Sequence, residues 1–205
     1  MFATFRGGLG MVRRRPALGI VLAIGFFFGL YSEGYDRLYQ AHLLERFEFP
    51  GGGLPLVGWF GLLTALGMIL TAGATAWLEK RSLNKPGSLA LTMMVATFGI
   101  VASMATFAVT RSFALALSLI VTIRVLRHSI EPLYISWVNR RLDAQVRATV
   151  LSMSSLVDAL GQVAGGPLVG LIAQRAGIQS GLLTSTFLLT PVVFLLLSQL
   201  RAREG

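Results

Sequence analysis

The sequence predicts an all-α membrane protein with six transmembrane helices, and three observations predict this fold class. Glu48 and Glu79 enclose 30 residues without a charge, and the intervals Lys85–Arg111 and Arg175–Arg201 enclose 25 each. A run of about 18 or more such residues can cross the roughly 30 Å hydrocarbon layer as a helix. Of the 205 residues, 54% are hydrophobic and only 13% are charged, which is too few charges for a soluble domain. Finally, the positive charge is concentrated on alternate loops.

The six predicted helices follow one another with short connections. Pro16 suits the first turn of the first helix, and glycines 51–53 between two prolines form an outer loop before the second. The second, third and sixth helices are predicted by hydropathy alone, whereas the others carry charges. Two inverted repeats of three helices are plausible, although the halves share no convincing residue-level similarity. The predicted helices run from about Pro16 to Tyr39, Leu56 to Leu78, Leu89 to Thr110, Phe113 to Trp137, Thr149 to Gln174 and Ser180 to Leu200.

The loop charges predict the orientation of these helices. If the N-terminus is cytoplasmic, twelve of the 18 basic residues lie in cytoplasmic segments, three in outer loops and three within helices. This is a strong positive-inside bias, and it predicts that both termini are cytoplasmic. We expect a cytoplasmic N-terminal linker at 1–15, a six-helix bundle at 16–200 and a cytoplasmic tail at 201–205. The cytoplasmic set is Arg6, Arg13, Arg14, Arg15, Lys80, Arg81, Lys85, Arg140, Arg141, Arg147, Arg201 and Arg203, and the outer set is Arg46, Arg111 and Arg175.

The composition excludes several function classes. There is no cysteine, so disulfides, thiol catalysis and cysteine-bound metals are excluded. The two histidines lie on different segments, and no nucleotide-binding loop, metal motif or dinucleotide fingerprint is present. We therefore expect no enzyme, no cofactor and no metal. The net charge of +9 comes from short clusters beside apolar spans, which indicates anionic lipid rather than nucleic acid as the partner.

The fourth predicted helix carries four acidic or basic side chains within its apolar span: Arg124, Arg127, His128 and Glu131. Their spacing of i, i+3, i+4, i+7 puts them on one face within about 100° of arc. Each charge within a bilayer costs at least about 2.5–3.5 kcal/mol on insertion scales, so this face must look onto protein or a water-filled cavity. Glu131 can pair along the helix with Arg127 or His128, although a base that precedes an acid is the weaker order for such a pair.

The fifth helix carries Asp158 and Gln162 on one face, together with Ser155 and Gly165. If the fourth and fifth helices pack as a tight hairpin, Asp158 is level with Arg127 and His128 on the helix before it. A buried charge cluster between the two helices then lies near the middle of the membrane. Three interpretations remain open. The charges form a substrate or proton pathway, or they neutralise one another and fix the helix register, or the helix ends differ from those predicted and leave Glu131 and its neighbours in the cytoplasmic interface.

The outer end of the first helix carries three more charges. Glu33 and Arg37 have the favourable i, i+4 spacing of an ion pair, and Asp36 is expected at the membrane interface. These residues belong either to a solvated helix end or to the outer mouth of a transport path. Tyr134 and Trp137, at the other end of the fourth helix, suit an interfacial aromatic belt.

Small residues in the fifth helix predict close helix packing. Gly161 and Gly165 form one four-residue repeat, Gly166 and Gly170 form another, and Pro167 lies between them. Such repeats let two helix backbones approach closely, and proline allows the helix to bend.

Three stretches of the chain resemble the second half of major facilitator superfamily efflux proteins of the drug and tetracycline type. GLYSEGYDRLYQAHLL at 29–44 resembles the start of that half, and EPLYISWVNRRLDAQVRATVLSM at 131–153 with DALGQVAGGPLVG at 158–170 resembles its tenth and eleventh helices. The glycine–proline pattern of the superfamily's antiporter motif is similar to that of Gly161, Gly165, Gly166, Pro167 and Gly170. The first-half signature loop has only a degenerate counterpart in GATAWLEKR at 73–81, which lacks the central acid–base pair.

The resemblance implies a secondary transporter in the inner or plasma membrane that exports small amphipathic compounds in exchange for protons. Asp158 is the preferred protonation site and Glu131 the second choice, with Arg124 and Arg127 as partners that change pairing. Because one six-helix bundle cannot enclose an alternating-access path, we expect a homodimer or a separate N-terminal half. The alternative is a truncated or partner-subunit membrane protein without transport activity of its own.

Overall fold

The computed structural model describes residues 16–50, 53–82, 88–140 and 144–201, and all regular secondary structure in these ranges is α-helical. All six helices are long and apolar enough to span a bilayer, so the chain is a multi-pass membrane protein and the predicted fold class is confirmed. The predicted linker at 1–15 and residues 202–205 of the predicted tail lie outside the described residues. The helices are α1 (Pro16–Arg46), α2 (Leu56–Ser82), α3 (Ser88–Val109), α4 (Phe113–Asn139), α5 (Ala144–Ala176) and α6 (Ile178–Arg201).

The largest departure from the predicted bounds is at the end of α1, which continues past Tyr39 to Arg46. This polar extension is helical because it packs against the end of α3. Leu43 is fully buried, and the ring of His42 meets that of Phe107 edge-on with centroids 5.1 Å apart. Arg46 Nε donates a hydrogen bond of 3.1 Å to the carbonyl of Thr110, just beyond α3, where helix-end carbonyls lack intrahelical partners.

The pairing of the helices has an internal two-fold pattern. α1 packs against α5 and α6, and α4 packs against α2 and α3. Exchanging the first three helices for the last three converts one set of pairs into the other and maps the α3–α6 pair onto itself. The α5–α6 contact is larger than the α2–α3 contact, so the correspondence is approximate. Since three crossings reverse the direction of the chain, this is the pattern of two inverted three-helix repeats.

Burial separates the helices into an inner and an outer group. α1, α3 and α6 supply the most buried spans, whereas few residues of α2 and α5 are buried. Large apolar side chains such as Val57, Ile69 and Val163 are at least two-thirds exposed, as suits contact with lipid or a second protein. The expectation that Tyr134 and Trp137 form an interfacial belt is wrong for Trp137, which is only 2% exposed, and Tyr134 is hydrogen-bonded inside the bundle.

The closest helix contact joins α1 and α5 and is made by glycines. A Cβ atom on Gly161 would overlap the carbonyl oxygen of Phe26, one on Gly165 that of Leu30, and one on Gly29 that of Asp158. Gly170 lies outside this contact, since nothing would meet a Cβ there within 4 Å. The first of the two predicted glycine repeats therefore allows the backbones of α1 and α5 to touch, and the second does not share this contact.

This difference makes Gly165→Ala and Gly170→Ala a matched pair in one helix. Gly165→Ala forces α1 and α5 apart and should lower the free energy of unfolding by about 1–3 kcal/mol or more. Gly170→Ala should leave stability unchanged or raise it by up to about 1 kcal/mol, because alanine is the better helix former. Thermal denaturation of both purified variants in mild detergent checks this, and equal effects would contradict the described contact.

Candidate functional site

The predicted pathway residues all line a set of three adjoining cavities on one side of the bundle. The central cavity, of about 430 Å³, lies between α1, α4 and α5. The outer cavity, of about 360 Å³, lies between α1 and α4, and the lateral cavity, of about 480 Å³, lies between α1 and α5. Together they form the polar face, whose predicted members are Glu33, Arg37, Arg124, Arg127, His128, Glu131, Asp158 and Gln162.

The strongest interaction on the polar face joins Arg127 of α4 to Asp36 of α1. Arg127 donates two hydrogen bonds to the carboxylate, of 2.5 Å from Nη1 and 2.8 Å from Nη2. The guanidinium also lies over the ring of Tyr31, 5.7 Å from its centroid. This bidentate geometry is the strongest that an arginine makes with a carboxylate. The pair therefore joins α4 to α1, with the Arg127 side chain 28% exposed and that of Asp36 48% exposed.

Sequence reasoning missed this pair because it assigned Asp36 to the interface and Arg127 to partners on α4 and α5. One signal could have found it. On α1 the i, i+4 pairing of Glu33 with Arg37 leaves Asp36 as a surplus acid. On α4 two arginines face a single glutamate, which leaves a surplus base. Two surplus charges of opposite sign in a low-dielectric region attract each other strongly.

The pair that the spacing predicts on α1 is present. Arg37 Nε donates a 2.6 Å hydrogen bond to Glu33 Oε1, and the two side chains line the lateral cavity with Gln162. The Arg37 side chain is 74% exposed and that of Glu33 27%. Gly166 and Pro167 of the glycine–proline segment form the opposite wall of this cavity, and a Cβ on Gly166 would lie 3.1 Å from Glu33 Cγ.

The predicted tight hairpin of α4 and α5 is wrong, because α1 rather than α4 is the main neighbour of α5. The backbone of Asp158 lies against Gly29 of α1, and Asp158 Oδ2 accepts a 2.8 Å hydrogen bond from Gln162 Nε2. Among the described residues Asp158 makes no ion pair. It nevertheless shares the central cavity with Arg127 and Glu131, so the three charged groups face one space.

A hydroxyl network connects α1, α4 and α5 at one end of the central cavity. Tyr134 Oη of α4 donates to the carbonyl of Val21 at 2.9 Å and lies 2.7 Å from Ser154 Oγ of α5. Because the phenol has one proton, Ser154 is the donor in the second contact. A Cβ on Gly25 would lie 2.9 Å from Ser154 Oγ, so glycine also leaves room for this network.

Three charged or basic groups of α4 have no side-chain ion pair within the described part of the chain: Arg124, His128 and Glu131. The pairing of Glu131 along α4 is therefore not formed: Arg127 is bound to Asp36, and Glu131 and His128 make no ion pair in the described part of the chain. His128 Nδ1 lies 2.9 Å from the carbonyl oxygen of Arg124. Since a carbonyl only accepts, Nδ1 carries the proton, and in the neutral ring Nε2 is left with a free lone pair.

Tyr31 is a site residue that the sequence analysis did not single out. Its side chain is fully buried, its hydroxyl makes no hydrogen bond among the described residues, and it lines the central cavity beneath Arg127. An unsatisfied buried hydroxyl costs free energy, so a hydrogen-bond acceptor or donor that reached this group would stabilise it. The i, i+4, i+8 spacing of Tyr31, Tyr35 and Tyr39 was a signal, because it places three phenols along one side of α1.

The cavities hold groups that can bind ions and exchange protons: carboxylates, guanidinium groups, an imidazole and phenols. Within the described ranges, no three His, Asp or Glu side chains are grouped so that they could hold a metal ion. Comparison with known proteins does not identify a family. No family model matches the chain, and neither a curated protein nor a solved structure matches it.

The Asp36–Arg127 pair can be tested against the Glu33–Arg37 pair. Asp36→Asn leaves Arg127 without its counter-ion and should lower the free energy of unfolding by about 1.5–3 kcal/mol, the range for hydrogen bonds to charged groups. Glu33→Gln removes an exposed pair within one helix and should cost less than about 0.5 kcal/mol.

Denaturation of both variants in detergent measures these costs. The double variant Asp36→Asn with Arg127→Gln should regain part of the lost stability, because neither charge is then left alone. Additive losses from the two substitutions would show that the side chains do not interact.

Proposed function

We propose that this chain is a major facilitator superfamily bundle of the drug and tetracycline efflux type. In this proposal it takes part in the proton-coupled export of small amphipathic compounds across the inner or plasma membrane. The observation that carries the proposal is the polar face itself. Charged residues line open cavities near the middle of helices that span the membrane, with Arg127 fifteenth of 27 residues in α4 and Asp158 fifteenth of 33 in α5.

The energetics support a pathway. Each ionised group inside a bilayer costs several kcal/mol unless it is paired or hydrated, and such groups are by default markers of substrate or proton routes. Here two carboxylates, Glu131 and Asp158, have no ion pair among the described residues and face a cavity of about 430 Å³. A space of this size admits water and a small ligand, and its lining of Phe28, Tyr31 and Leu151 beside these carboxylates suits an amphipathic compound.

The proposed coupling step is a competition of two carboxylates for Arg127. When Asp158 is ionised, it attracts the guanidinium across the central cavity, in competition with Asp36. When Asp158 is protonated, Arg127 is left with Asp36, and α4 is held against α1 as described above. The proton on Asp158 would therefore shift the balance between two arrangements of α1, α4 and α5, which is the population shift that coupled transport requires.

Asp158→Asn tests this step. In proteoliposomes that contain the purified protein, substrate-driven proton release by the variant should fall to the level of protein-free vesicles. The reason is that a side-chain amide, unlike a carboxylate, cannot bind and release a proton. Glu48→Gln is the control, since Glu48 is an exposed carboxylate outside the helices, and it should behave as wild type. Proton release by Asp158→Asn equal to that of the wild type would reject the role of Asp158.

A second bundle is part of the proposal, because the cavities of one bundle are open on one side. The two halves of this superfamily are parallel repeats about an axis normal to the membrane. A second copy of the chain, or a separate N-terminal half, can cover the polar face in this way. Exposed apolar side chains beside the lateral cavity, such as Val163 at 73% exposure, suit such a contact.

Single cysteines can test the arrangement, because the chain has none of its own. Val163→Cys, beside the polar face, should form a disulfide-linked dimer of about twice 22.1 kDa when membranes are oxidised. Phe98→Cys on α3 should not, although Phe98 is 63% exposed. Equal cross-linking at both positions would argue against a dimer through the polar face, and a cross-link from position 163 to another protein would indicate a separate half.

The alternative function is that of a partner subunit whose buried charges only hold its helices together. The two ion pairs of the polar face favour this alternative, since they satisfy four of its charges internally. A folded protein that moves neither substrate nor protons in any reconstituted system would support it.

A further inference from the structure

We propose that the outer cavity binds an anionic group of the transported compound, such as a carboxylate, with Arg124 as its counter-ion. The inference rests on the proposed transport function and specifies the class of substrate. It begins from the charges that the internal pairs leave over. After Asp36 and Arg127, and Glu33 and Arg37, have neutralised each other, Arg124 is the cation of the polar face without an ion pair in the described part of the chain.

An unpaired guanidinium within a membrane span needs a counter-ion. Arg124 is half-buried, and it lines the outer cavity. Two carboxylates line the same cavity, but Asp36 is bound to Arg127. Glu131 lies seven residues further along α4, about 10.5 Å along the helix axis at about 1.5 Å per residue, and forms no ion pair with Arg124 among the described residues. An anion in the outer cavity supplies the missing charge, and a guanidinium fork matches a carboxylate in both charge and shape.

The position of Arg124 is fixed by the neighbouring helix. Its side chain crosses Gly67 of α2, where a Cβ atom would overlap Arg124 Cδ and would lie 3.4 Å from Nε. Glycine at this position therefore leaves a channel in which the arginine stem lies. A guanidinium held by packing on its stem is pre-organised, so less side-chain entropy is lost when an anion binds.

The opposite wall of the cavity indicates the rest of the ligand. The rings of Tyr35 and Tyr39 stack with centroids 5.3 Å apart and an interplanar angle of 17°. Both line the outer cavity, which has a volume of about 360 Å³. A flat aromatic surface opposite a guanidinium suits a planar apolar body with an acidic substituent. The free lone pair on His128 Nε2 can accept a hydrogen bond from a hydroxyl or N–H of the same compound.

Binding of two matched probes to the full-length protein in detergent tests the inference. The probes are naphthalene-2-carboxylate and naphthalene-2-carboxamide, and isothermal titration measures their dissociation constants. Wild type should bind the carboxylate about ten- to a hundredfold more tightly than the amide, as expected for a charge-assisted bidentate pair. Arg124→Gln should abolish this preference and leave amide binding unchanged. Arg111→Gln, which removes a positive charge from an exposed loop, should retain the preference.

A second variant keeps the test valid if Arg124→Gln does not fold. Gly67→Ala keeps the charge but displaces the stem of Arg124, so it should reduce the preference for the carboxylate. Equal binding of both probes by wild type, or no binding of either, overturns the inference, and so does a preference that survives Arg124→Gln. If Arg124→Gln instead changes the native mass of the assembly that the protein forms in detergent, without changing probe binding, the counter-ion of Arg124 belongs to a partner protein and the inference is wrong.

These outcomes are separable from those of the proposed function. Probe binding in detergent requires neither transport nor a proton gradient, so it can succeed where proton-coupled export fails. Conversely, if the protein exports neutral compounds and binds both probes with equal affinity, the transport function stands and only the anionic class of substrate is rejected.

Discussion

A charge inside a hydrocarbon layer has to be paired or hydrated, and this requirement organises the side of the molecule on which α1, α4 and α5 meet. The bidentate contact of Arg127 with Asp36 meets it by joining two helices that are far apart in sequence. The remaining charges face cavities in which water or a ligand can solvate them. The polar face is therefore the part of the bundle in which burial and solvation conflict, and such conflicts are typical of functional sites.

The glycines of α1 and α5 make this arrangement geometrically feasible. With no side chains between the backbones at Gly29, Gly161 and Gly165, α5 lies directly against α1. α4 is then held away from α5 for most of its length, and the central cavity occupies the space between them. In a membrane, where apolar surfaces gain little from contact with each other, such close backbone approach is a principal source of helix association. The same contact that stabilises the bundle thus leaves room for the cavity.

The sequence predicts the six spans well because hydropathy is a local property. It also predicts the contact between Glu33 and Arg37, because their spacing lies within one helix. The helical end of α1 was not predictable in this way, since residues 40–46 mix four polar with three apolar side chains and are ordered by tertiary contacts of His42 and Arg46 at the end of α3 and by burial of Leu43. Asp36 and Arg127 are 91 residues apart in the sequence, and the periodicity of a single helix cannot predict a contact between residues on two different helices. The choice of α1 as the main neighbour of α5 depends on close contacts of glycines on both helices.

The two helices in closest contact are also the two longest, with 31 residues in α1 and 33 in α5. At about 1.5 Å per residue they measure about 46 and 50 Å, well beyond the roughly 30 Å thickness of the hydrocarbon layer. Such helices either project into the headgroup region at their polar ends or incline away from the membrane normal, and the inclination depends on acyl-chain length. Because α1 and α5 form two walls of the central cavity, any change in the inclination of either helix relative to the other changes its width. Lipid chain length is thus a physical variable of the site, as much as the side chains that line it.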